Sequence, residues 1–154
     1  MQQRYTFQIP PNSGNPWSDS TEIHGTAVTI AAWFGQLEVL TLLLDAHADP
    51  NDVNRTADIC SPLTAAAARG HVACAGLLIA RGADVNSWRY PNAGPLLVAS
   101  KHGCAELVQM LMCSGAVIQG FLGQAAGGGA FNLPLHEACL RGHNNAVMAM
   151  VASG

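Results

Sequence analysis

The sequence predicts an all-α solenoid of stacked helix-turn-helix units, and three recurrences carry that prediction. Glycines Gly35, Gly70, Gly103 and Gly142 recur at intervals of 35, 33 and 39 residues. Four residues before each stands an alanine (Ala31, Ala66, Ala99, Ala138), followed by a second small residue, Ala32, Ala67, Ser100 or Cys139. Seven to nine residues after each come the apolar runs Leu42-Leu43-Leu44, Leu77-Leu78-Ile79, Met110-Leu111-Met112 and Ala149-Met150-Val151. Each unit therefore reads as a short small-residue helix, a turn at glycine and a second helix carrying large aliphatics. His47, Gly82, Gly115 or Gly154 closes it twelve residues after the turn glycine.

The first helices are unusual in bulk. In SPLTAAAARGH, residues 61–71, four alanines follow one another, and side chains this small bury too little area to anchor a core. Such a helix belongs where another helix comes very close, and alanine suits it through size and helix propensity. Pro62 fits the first helical turn, where a missing N–H costs nothing, and Ser61 is placed to cap it. The second helices supply Leu, Met and Val to a continuous core.

Bulk properties narrow the function classes. The chain of 154 residues is 49% hydrophobic and carries a net charge of −3, as a globular domain does. Charged residues make up only 11% of it, against roughly 25% in ordinary soluble domains, so recognition is expected to lean on apolar and uncharged groups. Seven Lys and Arg residues are scattered singly, which argues against nucleic acid as a partner. Five cysteines form no CxxC pair and are odd in number, as in a reducing, intracellular compartment, cytoplasmic or nuclear. The N-terminus MQQRYTFQIPPNSGN has no apolar signal core. The uncharged stretch from Leu107 to Phe131 is broken by glutamines and glycines, so no membrane span is expected.

The segments GTAVTIAAWFG (25–35), SPLTAAAARGH (61–71), GPLLVASKHG (94–103) and LPLHEACLRGH (133–143), with ADPN, GADVN and GAVI as turn segments, resemble the ankyrin repeat family. The resemblance covers residues 24–154 as about four repeats, the last incomplete, and leaves 1–23 as a Pro-, Asn- and Ser-rich lead-in that shields the first unit. Departures are Ala27 where the motif has Pro, His47 where it has a turn Gly, and Val117-Ile118 where it has Asp-Val. The resemblance implies β-turn fingers between the units and a concave face, built from fingers and first helices, that binds another protein.

Two fingers are long: NDVNRTADIC carries two extra residues and IQGFLGQAAGGGAFN six. Aromatic and basic side chains gather at these places and at the first-helix ends, and Trp, Tyr and Arg are the types enriched in binding hot spots. The expected partner-binding residues are Trp33, Phe34, Arg69, Trp88, Arg89, Tyr90, His102, Phe121, Phe131 and Arg141. Structural readings stand beside these: Trp33 as a cap under the N-terminal segment, Phe121 and Phe131 folded back on the array, and Gly127-Gly128-Gly129 as a flexible tip.

No catalytic, cofactor or metal signature emerges. No His or Cys pair has zinc spacing, His71 and His143 fill the Gly-His step of the repeat, and His136 fills the motif's own His position. GFLGQAAGGGA lacks the preceding strand that a dinucleotide loop needs. Cys139 with His136 would make a nucleophile pair, but Cys139 takes the second small core position and is expected to be a buried, inert thiol. Leu78 stands six residues before Asp84-Val85-Asn86, the spacing that asparaginyl hydroxylases of ankyrin repeats favour, while Asp84 and Asn86 equally suit a turn-shaping role.

The expectation is a non-catalytic protein-interaction module, monomeric or associating through an uncapped last repeat. LPLHEACLRGH and RGHVACAGLL are also similar to stretches of the SOCS-box ankyrin adaptors of cullin ubiquitin ligases. The alternatives are therefore the substrate-recognition arm of such a ligase, or a structural fragment of a longer array.

Overall fold

A computed structural model of the chain describes residues 5–8, 22–52, 61–87, 94–117 and 134–153. Two strands precede the helices: β1 (Tyr5–Gln8) and β2 (Glu22–Gly25) pair antiparallel, with Tyr5 opposite Gly25 and Gln8 opposite Glu22. The boundary expected between lead-in and repeats, at residue 24, falls inside β2, which packs against the first helix. The strands are too short for alternation to announce them, and their pairing spans a Pro- and Asn-rich stretch.

Four helix pairs follow: α1 (Ala27–Trp33) with α2 (Leu37–Asp45), α3 (Pro62–Arg69) with α4 (Val72–Ala80), α5 (Pro95–His102) with α6 (Ala105–Cys113), and α7 (Pro134–Leu140) with α8 (Asn144–Ser153). The first helices start where the sequence says. Ser61 Oγ accepts from the Thr64 N–H at 3.2 Å, with Pro62 behind it in the first turn. Thr26 Oγ1 accepts from the Thr29 N–H at 3.3 Å, so α1 begins correctly with Ala27 where the motif has Pro. The small difference in cap chemistry leaves the frame unchanged.

The helices form two layers, because α1, α3, α5 and α7 pack in succession and so do α2, α4, α6 and α8. This is the all-α solenoid that the glycine period predicts. In the first layer Ala31, Ala66, Ala99 and Ala138 are at most 4% exposed, and Ala32, Ala67 and Ser100 are completely buried. Small side chains at both positions let the helix axes approach closely, within the range of about 8–10 Å in which helices pack. In the second layer Leu40, Leu78, Leu107, Val108, Leu111 and Met150 are the buried bulk.

Burial in the second layer depends on the neighbouring unit. Cys74, Leu107 and Ala146 face the preceding unit and are buried, whereas Val39, at the same register of α2, is 46% exposed. Leu44 faces the following unit at 6% exposure, whereas Val151, its counterpart in α8, stands at 67%. The run Leu42-Leu43-Leu44 is therefore not uniformly core: Leu42 is 69% exposed, because a helix buries a stripe and not a run.

Two kinds of long-range hydrogen bond lock unit to unit. His71 Nε2 donates to the Trp33 carbonyl at 3.1 Å and His143 Nε2 to the Lys101 carbonyl at 3.1 Å, which places the ring proton on Nε2 in both. Each ring lies against the turn glycine of the preceding unit, so that a Cβ on Gly35 would come within 2.7 Å of His71 and one on Gly103 within 2.5 Å of His143. In the turns, Asn51 donates to the Gly82 carbonyl (3.0 Å) and accepts from the Asp84 N–H (2.7 Å). Asn86 repeats the pattern with Gly115 (3.0 Å) and Val117 (2.9 Å). Only the backbone of Val117 is used, so the turn tolerates Val in place of Asp. Asp84 Oδ1 accepts from the Asn86 N–H at 2.9 Å, so both residues shape the turn.

His47 stands in the left-handed region, φ 62, in the place that Gly82 and Gly115 occupy with φ 86 and 87. Side chains at such positions cost about 1–2 kcal/mol. His47→Gly relieves that strain at a smaller cost from the freedom of glycine in the unfolded chain, so a net gain of up to about 1 kcal/mol, read as a higher urea midpoint, is expected. Gly70→Ala, which meets only open space, should cost about the same 1–2 kcal/mol of backbone strain. Gly35→Ala and Gly103→Ala should cost about 1–3 kcal/mol more, because a histidine ring must leave its place; equal midpoints for the three variants would contradict the packing described.

Candidate protein-interaction face

The residue directly before the turn glycine is Phe34, Arg69, His102 or Arg141 in the successive units, at or next to the end of its first helix. Because the first helices stack in order, these four side chains stand in one row across the layer. All four are exposed, Phe34 at 39%. Small buried residues form the frame, and the row that it carries differs in chemistry from unit to unit.

Support under the row differs as well. Trp33, expected to belong to the binding surface, is only 5% exposed and packs in the core. The Arg69 guanidinium carbon lies 5.3 Å from its ring centroid, a cation–π contact, so the surface at this point is arginine and the tryptophan stands behind it. Arg141 Nε donates to Glu137 Oε2 at 2.9 Å along one helix face, which orients the guanidinium and engages one of its five donors. Partial burial, then the positive charges of Lys101, Arg141, His143 and Arg69, hold His102 below the ordinary histidine range. Lys101, half-buried beside His102, joins this group. Its position carries Trp33, Ala68 and Leu140 in the other units, so no repeat pattern marks it.

Trp88, Arg89, Tyr90, Phe121 and Phe131, with the Gly127-Gly128-Gly129 tip and Gly154, lie outside the described residues.

Cys139 departs from expectation. It is exposed, although Ala32, Ala67 and Ser100 at the same register are completely buried. That side of α1, α3 and α5 meets the next first helix, whereas among the described residues nothing covers it on α7. Leu135, His136, Cys139 and Leu140 line the shallow groove left there. Among the described cysteines Cys74 is the buried one, and burial pushes its pKa up. Among the described residues, no three His, Cys, Asp or Glu side chains come together as a metal site would need. Nor is any described helix long and apolar enough to cross a membrane.

Repeat spacing, two-layer stacking and Asn-bridged turns are joined by a family model of ankyrin repeats, three copies long, that matches residues 28–121. The chain belongs to the ankyrin repeat family. The fourth pair, α7 with α8, continues the ankyrin geometry beyond the matched residues. The chain is 31% identical over 131 residues to the E3 ubiquitin-protein ligase XBAT33 of Arabidopsis thaliana, covering 83% of this chain and 24% of the relative. It is 30% identical over 122 residues to the ankyrin repeat and KH domain-containing protein mask-1 of Caenorhabditis elegans, covering 74% of this chain and 4% of that one. Among solved structures, the human ASB11 ankyrin repeat domain is similar with a TM-score of 0.70 and 32% identity, over 84% of this chain and 54% of that one. The chain thus spans a quarter or less of these curated relatives.

The His102 environment is open to measurement. In an NMR titration its ring is expected to protonate below the ordinary histidine range, and Lys101→Gln should move the midpoint upward only part of the way, because burial is the larger cause. A ring kept neutral by the fold makes the array's stability rise as pH climbs from the lowered folded value toward the ordinary unfolded one.

Proposed function

We propose that the chain is a non-catalytic module that binds another protein across the first-helix layer and the fingers, acting as a monomer inside the cell. The surface is taken to comprise Phe34, Arg69, His102 and Arg141 of the described row, with Trp88, Arg89, Tyr90, Phe121 and Phe131 of the fingers. The observation that carries this reading is the contrast within the first helices: four alanine positions at most 4% exposed, and an exposed row of unlike side chains one residue before each turn glycine. A frame that repeats while its exposed row varies suits recognition of a particular sequence and performs no chemistry of its own.

A second reading makes the chain the recognition arm of a ubiquitin ligase. Its support is the similarity to XBAT33 and, at 38% identity over 96 residues, to the probable E3 ubiquitin-protein ligase XBOS31 of Oryza sativa.

The test is affinity capture from a cell lysate with the chain and with a Phe34→Ala, Trp88→Ala, Tyr90→Ala variant whose helicity and urea midpoint match the parent. The expected outcome is a protein held by the parent and lost from the variant by at least about tenfold, as removal of hot-spot aromatics produces. Equal capture by both would remove this face as the binding surface. Under the second reading, the captured material also builds ubiquitin chains when ubiquitin and ATP are added.

A further inference from the structure

The described charges are segregated by layer. Glu38, Asp45 and Glu106 lie on second helices, and Asp49, Asp52 and Asp84 in the finger turns, whereas Glu137 is the one carboxylate on a described first helix. The cations have the opposite placement. Arg81, at the end of α4, pairs with Asp45 at 2.8 Å, and the other described cations, Arg69, Lys101 and Arg141, stand at the ends of α3, α5 and α7. Among the described residues, three of the four Lys and Arg side chains thus stand along one line of one layer. The helix macrodipole favours a cation at each C-terminus by about 0.3–1 kcal/mol, and burial leaves α1, α3 and α5 few positions other than their ends for a charge.

We infer that this row receives an extended acidic segment of a protein partner, with a carboxylate at every third residue and an apolar residue in the next register position. The inference rests on the interaction reading above and specifies its partner. The spacing follows from packing: neighbouring first helices lie about 8–10 Å apart, and an extended chain in the polyproline II form rises about 3.1 Å per residue with three residues per turn, so three residues span one unit and every third side chain faces the row. Arg69, the Lys101–His102 pair and Arg141 then meet successive carboxylates, and Phe34, 39% exposed at the head of the row, meets the apolar residue. Both guanidiniums are held in advance, one stacked on Trp33 at 5.3 Å and one bonded to Glu137 at 2.9 Å, which suits them to two-pronged carboxylate binding. Burial is the first cause of the lowered pKa of His102, and the neighbouring positive charges add to it. Nucleic acid fits less well, because the row offers few cations to neutralise phosphates.

The experiment uses fluorescein-labelled peptides and anisotropy with the whole chain, at low and at physiological salt. One peptide has Leu followed by Glu at each third position; a second has the same composition with its glutamates contiguous; a single-stranded RNA of equal charge is the third probe. The spaced peptide is expected to bind, to weaken with salt, and to lose about tenfold in affinity with Arg69→Gln or Arg141→Gln, the range for a hydrogen bond to a charged group. Arg81→Gln, off the row, should change nothing, and Arg69→Lys, which keeps the charge but loses the two-pronged fork and the stacking on Trp33, should bind between the parent and Arg69→Gln. No binding of the spaced peptide, equal binding of the contiguous peptide or the RNA, or row variants that bind like the parent would each overturn the inference. The capture experiment removes only aromatic side chains, so partner capture that survives while the peptide fails would sink the acidic-segment inference alone.

Discussion

The close approach of the first helices is the constraint on which the rest of the structure depends. Ala65, Ala66 and Ala67 are completely buried on one short helix, which is possible only because helices on either side come near enough to cover side chains of methyl size. A larger residue there would push the layers apart and displace everything registered to them. The His71 and His143 rings reach carbonyls 38 and 42 residues away over bare glycines, and that reach exists only at this separation. The Asn51 and Asn86 bridges between turns need the same spacing.

Stability in this architecture is shared between neighbours. A single unit cannot bury its own apolar stripe, and the two ends show what each unit lacks when alone. Val39 in α2 is exposed at a register that is buried in the interior units, and Val151 in α8 is exposed where Leu44 is buried and Ile79 and Met112 are half-buried. The interior junctions are not identical either. The third unit carries Cys104 where the second and fourth have His71 and His143, so the junction of the second and third units has the Asn86 bridge without a histidine clasp. The frame and the exposed row therefore lie on separable sets of residues: small and aliphatic residues inside, polar and aromatic residues on the row.

Charge completes that separation. Among the described residues of a chain with only 11% charged residues, most carboxylates lie on second helices and turns, and three of the four Lys and Arg side chains lie at first-helix ends. Fold membership does not account for this sorting, because ankyrin relatives as different as a KH-domain protein and a ubiquitin ligase share the frame. The row is where this chain differs from its own frame.

The sequence by itself determined the period, the helix pairs, the caps at Ser61 and Pro62 and the family, because glycine spacing, small-residue positions and capping residues are local signals that recur. It also placed Phe34, Arg69, His102 and Arg141 at equivalent positions, since alignment on the turn glycines needs no coordinates. The tertiary structure decided which of those positions are surface. Trp33 went into the core beneath Arg69, Cys139 came out of it, Leu42 faced away from the stripe, and the β1–β2 pairing preceded the array. Lys101 joined the row only in space. Each of these outcomes depends on a neighbour distant in sequence, and a repeat pattern records what a residue is in its unit, not which unit stands beside it.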